Sequence, residues 1–288
     1  MALSYDVFQV APKPIPSSVP GFESEVGQAT WPPSTSTLIW NEDGGLLVDA
    51  LITQDESELL AKWVAEHDTA LATIYVTHPH ADHFLGLPAV MTAFPDAVAV
   101  ALPAAIPGLQ GQVSAAAMEV WGGFFPAQLT AEPVVPEPLA GYSLAIGHDV
   151  ATVVPVGASD TDNSSVLHVP ELGLVVAGDV VYNGVHMWLA GSTAATRASW
   201  LNALDIVETL GPTTLIAGHR DPGTPDDDAV RQIDDSRRYL AAFDTALARS
   251  AVPRDLISQM SEVYPNLANP YTLWVAAFDL LASGETVG

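Results

Sequence analysis

Three histidines and one aspartate lie within residues 78–83, as His78, His80, Asp82 and His83. In a chain without cysteine, imidazole and carboxylate groups are the side-chain ligands that remain for Zn²⁺ and similar cations, and this chain has no cysteine. Because the whole sequence has only eight histidines, a solvated loop that is rich in histidine by chance is the weaker explanation. The run therefore predicts a metal site, whose usual chemistry is hydrolysis by an activated water molecule.

Two apolar runs typical of buried strands also end in residues that can bind metal. Asp179 follows the run 174–178, and His219 follows the run 215–218. Ligands of open α/β sheets collect at the carboxyl ends of the strands, so both side chains are expected near the histidine run. Taken alone, each is explained as well by a helix cap or an ordinary loop. Together with the run 78–83 they indicate one site.

The elements that must position these residues alternate between strands and helices. The first half is expected to contain a β-hairpin formed by 36–40 and 45–50, a helix over 55–67 with Asp55 as its N-cap, a strand over 72–77 and a helix over about 83–94. The second half is expected to contain strands over 149–156, 165–169, 174–177 and 213–217, and helices over 198–210, 228–249, 254–263 and 272–281. This alternation predicts a layered α/β sandwich.

The chain is interpreted as one domain with an arm at its start. Residues 1–34 hold many of the 23 prolines and are expected to form an irregular arm packed on the body. Residues 35–288 are expected to form the domain, which ends in a helical extension from about residue 228. That extension could cover the sandwich, shape the pocket or form a homodimer surface. The segment 102–138 is interpreted either as a mobile flap or as a helix with a packed loop.

The charge of the chain excludes several partners. The 34 acidic and nine basic residues give a formal net charge of −25, whereas nucleic acids and anionic membranes are bound mainly by lysine and arginine. No segment approaches the ~20 apolar residues of a membrane span, and the start of the chain lacks the regions of an export signal. With no cysteine, these features favour a cytoplasmic protein whose partner is a small-molecule substrate.

The motifs together resemble the metallo-beta-lactamase superfamily, whose hallmark is the His-x-His-x-Asp-His stretch at residues 78–83. The likeness extends to Asp49 after the hairpin, Gly178-Asp179 and Gly218-His219, and it covers roughly residues 35–222. It implies a four-layer αβ/βα sandwich with the site at one edge between two sheets, with additional C-terminal helices here. The implied ligands are His78 and His80 for a first metal, Asp82, His83 and His219 for a second, and Asp179 between the two.

One ligand of the superfamily pattern is missing from this sequence. The first metal usually takes a third histidine from a Gly-His-Thr or Gly-His-Ser turn, but Ala158 or Ser159 stands at that place. Asp160 could replace the histidine as an oxygen ligand, although a turn-capping role explains it as well. His186 could reach the site, or remain a residue of the pocket wall. Otherwise the first position is weak and the site binds a single metal.

The resemblance implies a zinc-dependent hydrolase that uses a metal-bound hydroxide to cleave a small ester, lactone, lactam or thioester. One or two Zn²⁺ ions are expected, with iron or manganese as alternatives. Asp82 would orient the nucleophile. Tyr182 has a spacing from Asp179 similar to that of the carbonyl-polarising tyrosine of acyl-homoserine lactonases, although it is equally explained as a packing aromatic. Two other hypotheses stay open. One is a different chemistry on this fold, such as sulfatase, phosphodiesterase or iron-based oxygen chemistry, and the other is a binding protein without turnover.

Overall fold

The structure is a computed structural model, and it describes residues 2–281. Its strands are β1 (Ser4–Gln9), β2 (Lys13–Pro14), β3 (Thr30–Trp31), β4 (Thr35–Asn41), β5 (Gly44–Val48), β6 (Leu71–Val76), β7 (Val98–Ala101), β8 (Glu137–Pro138), β9 (Ser143–Ile146), β10 (Asp149–Gly157), β11 (Ser164–Val169), β12 (Leu174–Asn183) and β13 (Thr214–Arg220). Its helices are α1 (Phe22–Glu25), α2 (Gln54–Glu66), α3 (Leu87–Ala93), α4 (Ile106–Gln112), α5 (Ala115–Phe124), α6 (Ala194–Thr209), α7 (Ala229–Leu247), α8 (Pro253–Val263) and α9 (Pro270–Leu281).

The strands form two large sheets and one small one. The first sheet has the order β1-β4-β5-β6-β7-β8, and the second has the order β13-β12-β11-β10-β9. The predicted hairpin is present, because β4 pairs with β5 in antiparallel register. β5, β6 and β7 then pair in parallel, as do β12 and β13. The carboxyl ends of β5, β6 and β7 therefore lie side by side in the first sheet, and those of β12 and β13 lie side by side in the second sheet.

The alternation of side chains along β5 shows how the layers stack. Leu46 and Val48 lie in a hydrophobic cluster with residues of the second sheet such as Leu167, whereas Leu47 lies in a larger cluster with Leu60 of α2. Successive side chains of a strand point to opposite faces, so one face of the first sheet packs on the second sheet and the other packs on helices. The same alternation occurs along β12, and α6 and α7 cover that sheet. The predicted four-layer sandwich is therefore confirmed.

The N-terminal arm is more regular than its prolines suggested. Strand β1 pairs with β4 over six residues and extends the first sheet, so the prediction of an irregular arm is wrong there. Farther along the arm, Phe22 packs edge-on against Tyr271 and Trp274 of α9. The arm therefore packs against α9 as well as pairing with β4.

Two local predictions for the first half need correction. The N-cap of α2 is Thr53, whose hydroxyl accepts from the Glu56 amide, and Asp55 lies inside the first turn. The helix expected over 83–94 is broken into a 3₁₀ turn at Ala81–His83 and the later α3. A continuous helix would use the His83 carbonyl for the amide of residue 87, but that carbonyl accepts from the Ala50 amide at 2.8 Å.

The alanine-rich segment 102–138 contains two helices, α4 and α5, followed by a loop that leads into β8. Phe125 at the end of α5 is fully buried. Within residues 2–281, no helix is both long and apolar enough to cross a lipid bilayer.

Candidate metal centre

The first group of candidate ligands gathers around the loop that leaves β6. His78 and His80 come from this loop, Asp160 from the loop after β10 and Asp179 from within β12. One ligand atom from each of these four residues lies within 4.8 Å of the others. Oδ2 of Asp160 is 2.7 Å from Nδ1 of His80 and 3.2 Å from Nε2 of His78. The group therefore offers two imidazoles and two carboxylates.

The second group is formed by Asp82, His83 and His219. The 3₁₀ turn after His80 brings Asp82 and His83 together, and β13 supplies His219. Oδ2 of Asp82 is 3.2 Å from Nε2 of His219, and Oδ1 of Asp82 is 3.9 Å from Nε2 of His83. All three residues are buried.

Asp179 lies between the two groups. Its Oδ2 is 3.2 Å from Nε2 of His219 and 3.9 Å from Nε2 of His78, and its Oδ1 is 3.3 Å from Nε2 of His83. Gly218 permits this position, because a Cβ added there would lie 2.3 Å from Oδ1 of Asp179. The carboxylate can therefore serve both groups at once.

Hydrogen bonds on the far side of three imidazoles, those of His78, His83 and His219, orient the other nitrogen of each toward the centre. Nδ1 of His83 donates to Oδ2 of Asp49 at 2.8 Å, and Nδ1 of His219 donates to the Pro33 carbonyl at 3.2 Å. The Thr77 hydroxyl donates to Asp49 at 2.9 Å, which leaves its oxygen to accept from Nδ1 of His78 at 3.0 Å. Such partners fix the tautomer of a metal-binding histidine. Asp49 thus acts on the site through His83 and through Thr77.

The buried charges of the site depend on one another. Burial raises the pKa of Asp160, but the facing imidazoles of His78 and His80 lower it more, so the net pKa is well below its usual range. The pKa of Asp179 is likewise well below its usual range, because the imidazoles of His219 and His83 lower it more than burial raises it. Burial lowers the pKa of His219, but Asp179 and Asp82 raise it to about 10. The site is therefore strongly attractive to positive charge, and a cation that binds there takes the place of protons.

Four polar atoms of the site are buried and accept or donate no hydrogen bond within the described chain. They are Nε2 of His78, Nε2 of His83, Oδ2 of Asp160 and Oδ1 of Asp179. These atoms lie at ion-pair distance from one another but lack hydrogen-bond geometry. A buried polar atom without a hydrogen bond costs about 1–3 kcal/mol, so their convergence indicates a common ligand. Divalent cations satisfy carboxylate oxygens and imidazole nitrogens together. The residues present therefore fit a metal centre.

A sequence model of the metallo-beta-lactamase superfamily matches residues 29–219, more than half of the chain. The chain belongs to this superfamily. No curated protein matches its sequence.

Solved structures share the fold of this superfamily member at low sequence identity. A beta-lactamase domain protein from Burkholderia ambifaria is 17% identical with a TM-score of 0.66, over 97% of this chain and 87% of that chain. A metallo-beta-lactamase family protein from Thermus thermophilus is 19% identical with a TM-score of 0.62, over 98% of this chain and 95% of that chain. The metallo-beta-lactamase FIM-1 from Pseudomonas aeruginosa, in its mono-zinc form, is 15% identical with a TM-score of 0.56, over 83% of this chain and 91% of that chain.

The three residues considered in place of the missing superfamily histidine have different positions. Asp160 belongs to the first group of ligands, whereas Ser159 does not. The Ser159 hydroxyl instead donates to Oδ1 of Asp160 at 2.9 Å. The structure does not bring His186 to the centre: it belongs to neither ligand group, and its Nδ1 lies 2.9 Å from the hydroxyl of the buried Tyr239. Asp162, two residues beyond Asp160, is exposed and belongs to neither group.

A small cavity of about 110 Å³ opens beside the centre. Tyr182 lines it, and the hydroxyl of this residue donates to Oδ2 of Asp179 at 2.7 Å. Burial and the Asp179 charge raise the pKa of Tyr182 well above its ordinary value, so the hydroxyl stays protonated at neutral pH. The full lining is Trp31, Pro32, His80, Asp82, Gln112, Trp121, Asp179, Tyr182, Trp188, His219 and Thr272.

Sequence reasoning missed four residues that line this cavity, Trp31, Pro32, Gln112 and Thr272, and the first and third of them make hydrogen bonds there. Trp31 of the N-terminal arm donates its indole N–H to Oδ2 of Asp82 at 3.0 Å. Gln112 at the end of α4 accepts the indole N–H of Trp121 at 2.8 Å. Neither residue has a sequence signal that would have marked it, because both lie in segments far from the metal-binding motifs.

Proposed function

We propose that this protein is a divalent-cation-dependent hydrolase of small uncharged acyl compounds, in particular lactones and esters. The observation that carries the proposal is the pair of ligand groups around Asp179, with converging buried atoms that have no hydrogen-bond partner among the described residues. Their opening into a cavity that is lined by three tryptophans and by no lysine or arginine of the described chain supports the choice of substrate.

The ligand groups define what a metal would contribute. His78, His80 and Asp160 would hold one cation, Asp82, His83 and His219 a second, with Asp179 shared by both. A divalent cation bound in this way lowers the pKa of water and polarises a carbonyl, which supplies a nucleophile at neutral pH. The four imidazoles are donors that suit Zn²⁺. The three carboxylates also make the centre suitable for Mn²⁺ or Fe²⁺.

Asp82 and Tyr182 are the residues proposed to act on the reacting atoms. The Asp82 carboxylate lines the cavity and is held in place by the Trp31 indole, so it can orient an attacking water molecule. The Tyr182 hydroxyl also lines the cavity and stays protonated. Its single proton is donated to Asp179 in the described structure, so the hydroxyl would leave that carboxylate, once Asp179 holds a cation, to donate to the carbonyl oxygen on which negative charge develops.

The cavity wall supports an uncharged substrate. No lysine or arginine of the described chain lines it, and three tryptophans, Trp31, Trp121 and Trp188, are among its lining residues. Sulfate and phosphate groups are usually bound by arginine or lysine side chains. Apolar and aromatic walls instead suit the hydrocarbon part of a lactone or ester.

A metal-dependent substrate panel tests the proposal. The protein is stripped with a chelator, reloaded with Zn²⁺, Mn²⁺ or Fe²⁺, and assayed on an alkyl lactone, an aryl ester, a thioester, a β-lactam, an aryl sulfate and a phosphodiester. We expect metal-dependent cleavage of the lactone or ester, its loss in Asp179→Asn, and its retention in Asp162→Asn, where the same charge is removed from an exposed position. Failure to cleave any uncharged acyl compound with all three metals would refute the proposal.

A further inference from the structure

The two oxygens of Asp160 have different surroundings. Oδ1 accepts a hydrogen bond from the Ser159 hydroxyl at 2.9 Å. Oδ2 points to the opposite side, 2.7 Å from Nδ1 of His80 and 3.2 Å from Nε2 of His78, yet it accepts no hydrogen bond from the described residues. The side chain is completely buried. One oxygen therefore fixes the carboxylate, and the other faces the candidate metal ligands.

The backbone before Asp160 explains how the side chain gets there. The pairing of β10 with β11 shifts register between Pro155 and Gly157, and Gly157 has a φ of +83°, a conformation that glycine adopts readily. The Ser159 amide then donates to the Thr161 carbonyl at 2.9 Å. This tight turn carries the chain past Ala158 and Ser159 and directs Asp160 toward His78 and His80.

We propose that Asp160 is a ligand of the first cation and that it shifts this position from Zn²⁺ toward Mn²⁺ or Fe²⁺. The inference rests on the metal centre proposed above, but it concerns the choice of metal and not the reaction. With Asp160 in place, each position has two imidazoles and one carboxylate of its own, and Asp179 is shared. The two positions of the centre then offer the same donor set.

The chemistry of the donors leads to the metal preference. A position with three imidazoles suits Zn²⁺, whereas carboxylate oxygens are harder donors that suit Mn²⁺, and two histidines with one carboxylate are typical of non-haem Fe²⁺ sites. Asp160 also adds a third negative charge to those of Asp82 and Asp179. Two divalent cations would therefore be more completely neutralised here than at a centre with a third histidine.

Metal content and affinity test the proposal without any substrate. Wild type, Asp160→Asn, Asp160→His and the exposed control Asp162→Asn are stripped with chelator and titrated with Mn²⁺ and with Zn²⁺. Bound metal is measured by mass spectrometry after dialysis, and the Mn²⁺ form is measured by electron paramagnetic resonance. Circular dichroism establishes that each variant is folded.

The expected results follow from the ligand assignment. Asp160→Asn should bind one Mn²⁺ ion fewer than wild type and lose the resonance signature of a coupled Mn²⁺ pair, whereas Asp162→Asn should keep both. Asp160→His should raise the ratio of Zn²⁺ to Mn²⁺ affinity by about tenfold or more, and this variant still tests the preference if Asp160→Asn does not fold. An unchanged stoichiometry and affinity in Asp160→Asn, or an unchanged ratio in Asp160→His, would overturn the proposal. Two bound cations without turnover on the substrate panel would refute only the proposed hydrolysis.

Discussion

The indole N–H of Trp31 donates a hydrogen bond of 3.0 Å to Oδ2 of Asp82, the oxygen that lies 3.2 Å from Nε2 of His219. Trp31 is itself fixed by rings on several sides, with Phe125 at 5.5 Å and Trp188 at 5.9 Å between centroids. Because Trp31 belongs to the N-terminal arm, the arm contributes directly to the geometry of the candidate metal centre.

Replacing Trp31 by phenylalanine is expected to weaken binding at the second metal position. The ring packing is largely retained, but Asp82 loses the donor that orients it, and partners of this kind typically change metal affinity about 10–100-fold. Titration of stripped protein with Zn²⁺ or Mn²⁺ measures the effect. Trp188→Phe is the matched control, because its ring packs against Trp31 but no hydrogen bond to a candidate ligand is described for it. Equal affinities in Trp31→Phe and wild type would contradict the role given to this indole.

Gly218 is expected to tolerate no side chain. A Cβ at this position would lie 2.3 Å from Oδ1 of Asp179 and 2.8 Å from Cε1 of His83, so Gly218→Ala must displace at least one of the two residues. We expect loss of bound metal and a lower thermal midpoint, measured by metal analysis and calorimetry.

Gly122→Ala provides the comparison for that substitution. Gly122 lies in α5, where an added Cβ meets no atom within 4 Å. Alanine inside a helix is favoured over glycine by about 0.5–1 kcal/mol, so this variant should bind metal normally and unfold at the same or a higher temperature. Full metal binding by Gly218→Ala as well would mean that Asp179 does not need the close approach of β13.

Tyr182→Phe separates catalysis from metal binding. The substitution removes the hydroxyl that donates to Asp179 at 2.7 Å but leaves every proposed ligand in place. If the hydroxyl stabilises negative charge on the substrate oxygen, kcat at saturating metal should fall about 10²-fold with the same bound metal per chain, although Asp179 loses an orienting donor and the metal affinity should fall as well. Steady-state kinetics on the best substrate of the panel, together with metal analysis, distinguish this from a packing role. A variant with unchanged kcat would place Tyr182 outside the reaction.

The candidate metal-binding residues were predictable because their signals are local. His78, His80, Asp82 and His83 share one loop at the end of a strand, and strand ends of a parallel sheet meet at one edge. The layers were predictable as well, since buried strands such as β12 are continuous apolar runs. These features depend on periodicity and composition, which a single sequence contains.

The remaining features depend on contacts between distant segments. The Trp31 indole reaches Asp82 from 51 residues away, and nothing in the spacing of the arm indicates that contact. The side chain that lies where the superfamily has its third histidine is determined by a register shift and a tight turn before Asp160. The sequence could therefore offer Asp160 only as one alternative. The N-cap of α2 was misplaced because Thr53 and Asp55 are both good capping residues, and only the backbone geometry distinguishes them.

His186 is expected to make the protein less stable as the pH falls below neutrality. Burial lowers its pKa from the ordinary 6.5 to about 4, and its neighbour Tyr239 stays neutral because burial raises the pKa of that phenol. Between these two pKa values, the unfolded chain binds a proton at His186 that the folded chain does not. Stability is therefore lost progressively from about pH 6.5 down to about pH 4, by at most about 3 kcal/mol.

Urea unfolding of chelator-treated protein between about pH 4.5 and pH 7.5 measures this dependence without a contribution from metal release. His186→Asn keeps a polar group near the Tyr239 hydroxyl but cannot take up a proton, so the slope of its unfolding free energy against pH should be smaller than that of wild type. Tyr239→Phe removes the hydrogen bond at His186 and leaves the burial, so it should be less stable at every pH but retain the wild-type slope. Parallel curves for wild type and His186→Asn would contradict the assignment, because burial of the imidazole would then have no effect on its protonation.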